Sequence, residues 1–215
     1  MAPAGKALQQ SDFRAKNASG GVPCYDPRAV ARLTGVNFSN ALAFVRERFP
    51  HEGMAQVLSR LSPADRAFLA GEIRDAEWYD LGAYLRLIRT IDATLGAGDL
   101  SLLPVLGRFE AERDRNTVQG LFLRIASPTW AVRLVTEFWG QFHDSGRWTV
   151  RREGETTLHG VLEDFGAADP AMCAELCGYI ARVMEFAGAQ QVVMKHPECR
   201  GHGASACHFL LTWQR

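Results

Sequence analysis

The sequence predicts an α+β fold, with a helical N-terminal half followed by a β-β-α-β-β antiparallel sheet packed against helices. Three observations carry that expectation. Apolar residues recur at helical spacing through Leu81, Tyr84, Leu85, Ile88, Ile91 and Leu95, the mark of an amphipathic helix. From Trp148 to Arg152 the period switches to alternation, the pattern of a half-buried strand. A second helical stripe, Met172, Leu176, Tyr179, Ile180, Val183, Phe186 and Ala187, then separates this strand region from two further strands.

In chain order, residues 1–21 bury too little apolar surface to offset the cost of ordering, so a flexible tail is expected. A single domain is expected over 22–215, with a helical part at 22–145 and an α+β part at 146–215. Val22 to Pro27 reads as a turn, because each proline biases its predecessor away from the helical region, and Cys24 within it as an incidental thiol. Phe38 to Phe49 is the first helix. Ser62-Pro63-Ala-Asp65 supplies a capping hydroxyl, a proline at the first helical position and a carboxylate at the positive end of a helix from Ala64 to Ala70. Trp78-Tyr79-Asp80 opens the long helix, which Gly96-Ala-Gly98 stops, and Arg86 and Arg89 fall on its wet side as solvated charges.

Asp99 to Asn116 continues helically with a break at Pro104, and Thr117 to Ala126 forms another apolar segment. Ser127-Pro128 repeats the cap and proline signal. The helix from Thr129 to His143 carries Trp130, Val132, Leu134, Phe138, Trp139 and Phe142, apolar on nearly every face, and reads as the buried spine of the domain. Thr156 to Phe165 pairs with Trp148 to Arg152 through a turn at Glu153-Gly154. Asp169-Pro170 caps the final helix and Gly188 ends it; Gln190 to Lys195 and Ala206 to Trp213 are the last two strands.

Balanced charge, 24 basic against 24 acidic residues, excludes the electrostatic footprint of a nucleic-acid binder. No stretch approaches the roughly 18 apolar residues of a membrane span, and the first residues lack the apolar core of a secretory signal, so a cytoplasmic location is expected. Five cysteines, an odd number, then point to reduced thiols rather than a disulfide framework. No phosphate loop, nucleophile elbow or metalloprotease histidine pair is present, so no enzyme is expected.

Four of the cysteines crowd the last quarter. Cys199 follows one strand and Cys207 begins the next, so a hairpin tightened by Gly201 and Gly203 brings their sulfurs together. Cys173, near the start of the last helix, reaches the same point, with His196 as fourth donor and Glu198 as an alternative oxygen ligand. Three thiolates and an imidazole are a common zinc set, and a closed four-ligand site is structural. Cys177, one turn beyond Cys173, reads as core filler.

The pattern Cys199-x-Gly201-x-Gly203-x-x-x-Cys207-x-Phe209, preceded by Cys173-x-x-x-x-Gly178-Tyr179 and a helix ending at Gly188, resembles the 4-vinyl reductase domain family. That family includes sensor domains of aromatic-responsive bacterial regulators and is related in fold to heme-nitric-oxide-binding domains and to TRAPP vesicle-tethering subunits. The run from Phe38 to Trp213 also resembles a paralogous set of myxobacterial proteins of unknown role. In the aromatic sensors zinc is held by three cysteines and a glutamate. The resemblance places the cysteines at Cys173, Cys199 and Cys207 and puts His196 in the glutamate's slot, an exchange that zinc accepts.

A ligand pocket between sheet and helices would be lined by Trp130, Phe138, Trp139, Phe142, Trp148 and Tyr179. The expected function is a non-enzymatic sensory or ligand-binding domain for a small hydrophobic molecule. It would be homodimeric, pinned by zinc, and would signal through a protein partner, without nucleic acid or a membrane span. An assembly or scaffold protein with a filled core is the alternative. Two further readings are a tetrapyrrole vinyl reductase, suggested only by the family's name, and a heme sensor with His143 or His159 as axial ligand.

Overall fold

Two antiparallel sheets and seven helices make up the described part of the chain, which in this computed structural model comprises residues 30–115, 127–166 and 168–214. The expected tail, the Val22 to Pro27 turn with Cys24, and the Thr117 to Ala126 segment lie outside it. The helical half runs β1 (Arg32–Thr34), α1 (Gly35–Arg48), α2 (Gly53–Arg60), α3 (Pro63–Ala70), β2 (Trp78–Asp80), α4 (Leu81–Leu95) and α5 (Leu103–Asp114). After it come α6 (Pro128–Phe142), β3 (Arg147–Gly154), β4 (Thr157–Glu163), α7 (Pro170–Phe186), β5 (Gln190–Glu198) and β6 (Cys207–Gln214). The large sheet has the order β3-β4-β6-β5, antiparallel throughout, and the small one pairs β1 with β2. The α+β expectation is met. No helix among the described residues is long and apolar enough to cross a membrane.

The helix starts follow the capping chemistry of the sequence. Ser62 Oγ accepts from the Asp65 N–H, Ser127 Oγ from that of Trp130 and Asp169 from that of Ala171, each with proline at the first helical position. Asp80 caps α4 by accepting from the N–H groups of Gly82 and Ala83.

Three expectations are corrected. Trp78 and Tyr79 open no helix: they form β2, opposite Thr34 and Leu33, and the helix begins only after Asp80. The short helix α2 was not anticipated. Helix α6 is no spine, because Trp130 on it is 39% exposed and Arg133 and Glu137 face solvent. That role belongs to α7, whose buried face carries Met172, Cys173, Leu176, Ile180, Val183 and Met184 between α5 on one side and the sheet on the other. Arg86 and Arg89 do lie on the wet side of α4, yet both are engaged as forked pairs, on Asp65 and on Asp169.

Glycines set the α5–α7 spacing. A Cβ at Gly178 would stand 1.9 Å from the Pro104 carbonyl oxygen, and one at Gly107 would stand 2.0 Å from that of Glu175, so only glycine lets the two backbones touch. The crossing encloses two carboxyl groups. The buried Tyr84 hydroxyl lies 2.6 Å from Glu175 Oε1 and 3.1 Å from Glu110 Oε1. Burial raises both carboxyls above the usual 4.5, and the charge of Glu175 raises Glu110 further while hydrogen bonds from Glu110 and Tyr84 hold Glu175 back, so the pair retains a proton that the unfolded chain releases.

That contribution is complete below the unfolded value and is lost as pH climbs from about 4.5 through the raised folded values. Glu110→Gln, which keeps an acceptor and cannot ionise, should therefore gain stability relative to the parent as pH rises from 4 to 8. Urea unfolding across that range would reveal it, and a pH-independent difference would contradict the assignment.

Candidate functional site

The turn between β5 and β6 lies against the start of α7. A Cβ at Gly201 would meet Pro170 Cδ at 2.5 Å, and Gly203 adopts a left-handed φ of 94°, so both glycines are needed for the turn to close onto the helix. Cys173, in the first turns of α7, thereby meets Cys199 and Cys207. Its sulfur lies 3.6 Å from Cys207 Sγ and 4.0 Å from Cys199 Sγ. One donor atom from each of Cys173, His196, Cys199 and Cys207 falls within 4.8 Å of all the others. A tetrahedron with metal–sulfur bonds of about 2.3 Å sets its sulfurs about 3.8 Å apart, which is the spacing found here.

The electrostatics distinguish the three thiols. The hydrogen bond from Cys173 Sγ, followed by the His196 ring and the Arg200 N–H at 3.4 Å, holds the Cys207 thiol down at about 4 despite burial. Cys173, as the donor to Cys207, is pushed far up, with burial adding to the shift, and burial also raises Cys199. One negative charge is therefore settled in the cluster, and two more require a cation. The His196 ring stacks on Phe209 with centroids 4.5 Å apart, and its Nε2 is buried without a hydrogen-bond partner, as expected of a nitrogen whose partner is a metal.

Cys177 stays outside the cluster; burial alone pushes its thiol up to about 12. Glu198 turns away from the sulfurs, with its carboxylate 3.7 Å from His208 on the outer face of the sheet. Sequence reasoning missed Arg200. Its N–H supports Cys207 while its guanidinium donates to the Phe165 carbonyl, tying the turn to the end of β4.

The six expected pocket residues do not gather around one space. Trp148 lines an apolar gap between α6 and the sheet together with Val132, Thr136, Ile180, Met194 and Phe209, a cavity of about 10 Å³ that holds a single water at most. Trp139 packs edge-on against Trp148 at 5.8 Å, just behind that wall. Phe138 belongs to a small separate cluster with Ala131, Leu134 and Val183. Phe142 is half-buried at the end of α6 and Trp130 is exposed. Tyr179 faces α5, where its hydroxyl donates to Asp114. Trp148 Nε1 is a buried donor with no partner.

No family model and no curated sequence matches the chain. Solved structures do. An H-NOX protein from Shewanella oneidensis in the Fe(II)NO ligation state shares 13% identity at a TM-score of 0.66, over 85% of this chain and all of that one. The Fe(II) unliganded H-NOX protein of K. algicida shares 12% at 0.65, over 85% and 97%. An oxygen-binding H-NOX domain related to soluble guanylate cyclases shares 12% at 0.54, over 85% and 96%. Likeness at this identity establishes a common fold. The expectation of zinc as the cofactor is corrected here: these neighbours are iron proteins, and another is described by its heme. Zinc had been suggested by the residue types of the donor set, which do not discriminate among first-row metals, and by the resemblance to the aromatic sensors, which no family model or curated sequence supports.

In protein stripped of metal by a chelator, the ultraviolet absorbance of one thiolate should persist at pH 6 and fade only as pH drops towards 4. Cys207→Ser should abolish it. Absorbance that first rises near pH 8 in the parent would refute the assignment of the charge.

Proposed function

We propose that the chain is a non-enzymatic ligand-binding sensory domain of the 4-vinyl reductase type, responding to a small hydrophobic molecule and passing the signal to a protein partner. The observation that carries this reading is the unpartnered Trp148 Nε1 at an apolar gap whose outer wall, α6, turns Trp130, Arg133 and Glu137 to solvent. A buried donor left without an acceptor costs about 1–3 kcal/mol, and a ligand oxygen placed between α6 and the sheet would recover it. The gap is smaller than any such ligand, so binding must displace α6. That displacement is the signal a partner or a second copy would read. The domain organisation consistent with this is one unit, since the main core runs continuously from Leu33 and Phe38 to Phe209 and Trp213.

Heme, the group that the neighbours' names imply, does not fit the gap that the described residues form. A space for one water cannot take a porphyrin, and of the residues lining it only Met194 carries an iron-ligating atom. His143 is buried with both ring nitrogens unpaired, and burial lowers it to about 3; its ring is stacked face to face on Trp139 at 3.7 Å, and it does not line the gap. His159 lies on the opposite face of the sheet. No step is therefore derived through heme.

The cluster of Cys173, His196, Cys199 and Cys207 belongs to the same reading as architecture: a thiophilic d-block ion there would fasten α7 to the β5–β6 hairpin and so fix one wall of the gap. Elemental analysis of purified protein should find one such ion per chain, and Cys199→Ser should lose it together with roughly 3 kcal/mol or more of stability. Metal-free parent protein of undiminished stability would refute this.

Phenol, an aromatic ring with one oxygen, should raise the thermal midpoint of the parent and not of Trp148→Phe, and added hemin should give no Soret band. Equal behaviour of parent and variant towards phenol would favour the scaffold reading.

A further inference from the structure

The outer face of the large sheet, turned away from the helices, carries a pair of histidines that neither the cysteine cluster nor the apolar gap uses. His159 on β4 and His208 on β6 occupy diagonal positions across the β4–β6 ladder, where Gly160 pairs with Phe209 and Val161 with His208. Their rings are tilted by 32° with centroids 5.2 Å apart, and His159 Nε2 lies 3.1 Å from His208 Nδ1. Each outer nitrogen faces a carboxylate. His159 Nδ1 is 3.3 Å from Glu153 Oε1, and His208 Nε2 is 3.7 Å from Glu198 Oε2.

The inner nitrogens are hydrogen-bonded to each other, one ring donating and the other accepting, and a cation that takes this place displaces the shared proton. Both side chains are largely covered, 18% and 25% exposed, which holds the rings in place and weakens competition from solvent. With metal–nitrogen bonds of about 2.1 Å, a separation of 3.1 Å gives a nitrogen–metal–nitrogen angle of about 95°. That is the cis angle of a square-planar or octahedral centre; a tetrahedral one would need the nitrogens about 3.4 Å apart.

We propose that His159 and His208 form a second metal site, for a divalent late first-row ion of square-planar or octahedral preference, Ni(II) or Cu(II). Glu153 and Glu198 stand 3.3 and 3.7 Å from the outer nitrogens and add negative charge beside the site without touching the metal. The remaining coordination positions open to solvent. His208 and Cys207 are neighbours in sequence, but alternate residues of a strand point to opposite faces, so this site and the cysteine cluster share no ligand.

The test is a calorimetric titration of the full chain with Ni(II), which does not oxidise thiols, in the parent, in Cys199→Ser and in variants of the pair. Cys199→Ser should still bind Ni(II) at the pair, without the sulfur-to-metal charge-transfer absorption that binding at the cysteines would bring. His159→Gln and His208→Gln should each weaken that uptake about tenfold or more, the double variant no further, and Glu198→Gln should weaken it by a smaller factor. His202→Gln, at an exposed position on the turn, should change nothing, and unaltered thermal midpoints in the glutamine variants would show that folding is not the cause. Ni(II) uptake indifferent to both pair substitutions overturns the proposal, and so does imidazole NMR in which the pair takes up only a proton at saturating Ni(II).

Discussion

The closest constraint in the molecule is the contact between the backbones of α5 and α7. Gly178 against Pro104 and Gly107 against Glu175 leave no room for a single methyl group. Overpacking at such a point forces backbone shifts costing about 1–3 kcal/mol, so the spacing of these helices is set by residue type and cannot drift. Because α7 also lies on the sheet, that spacing determines where Cys173 meets the β5–β6 turn. The same contact closes Tyr84, Glu110 and Glu175 away from water, with the hydroxyl shared between two carboxyl groups that cannot both ionise.

Charge is handled differently at two points along α7. At Glu175, the pair it forms with Glu110 retains a proton, which costs stability at neutral pH. Near its start, Cys207 does the reverse and keeps a negative charge, sustained by the Cys173 thiol, His196 and the Arg200 N–H. In the cluster the charge is localised on one of three thiols, beside an imidazole nitrogen with no hydrogen-bond partner. The helix is thus fixed against α5 by packing, and it meets the hairpin at the thiol cluster.

Much of this was legible in the sequence, for reasons that are local. Caps at Ser62, Ser127 and Asp169 are read from three or four consecutive residues, and the structure uses each as read. The convergence of Cys173, Cys199 and Cys207 followed from a helix start, a glycine turn and a hairpin, again short-range features. Errors arose where the answer was tertiary. Trp78 and Tyr79 precede a helical stripe, yet they pair with β1 more than forty residues earlier. Helix α6 is apolar on many faces, but periodicity does not reveal that Trp130 on one of them is left partly exposed. Arg86 and Arg89 were placed correctly on the wet side while their partners, 21 and 80 residues away, could not be read.

The histidine pair shows the same limit most sharply. His159 and His208 stand 49 residues apart, and nothing in either local pattern marks them. What brings them together is register. A slip of one residue between β4 and β6 would turn one histidine inward and destroy the pair, and it would equally turn Cys207 away from Cys173. Strand β6 therefore carries two consequences of a single alignment, one on each face, and the inward one is under the stronger constraint because Phe209, Leu211 and Trp213 must be buried with it. The outward pair inherits its geometry from that core: the burial that fixes the cysteines also sets the spacing of the imidazoles.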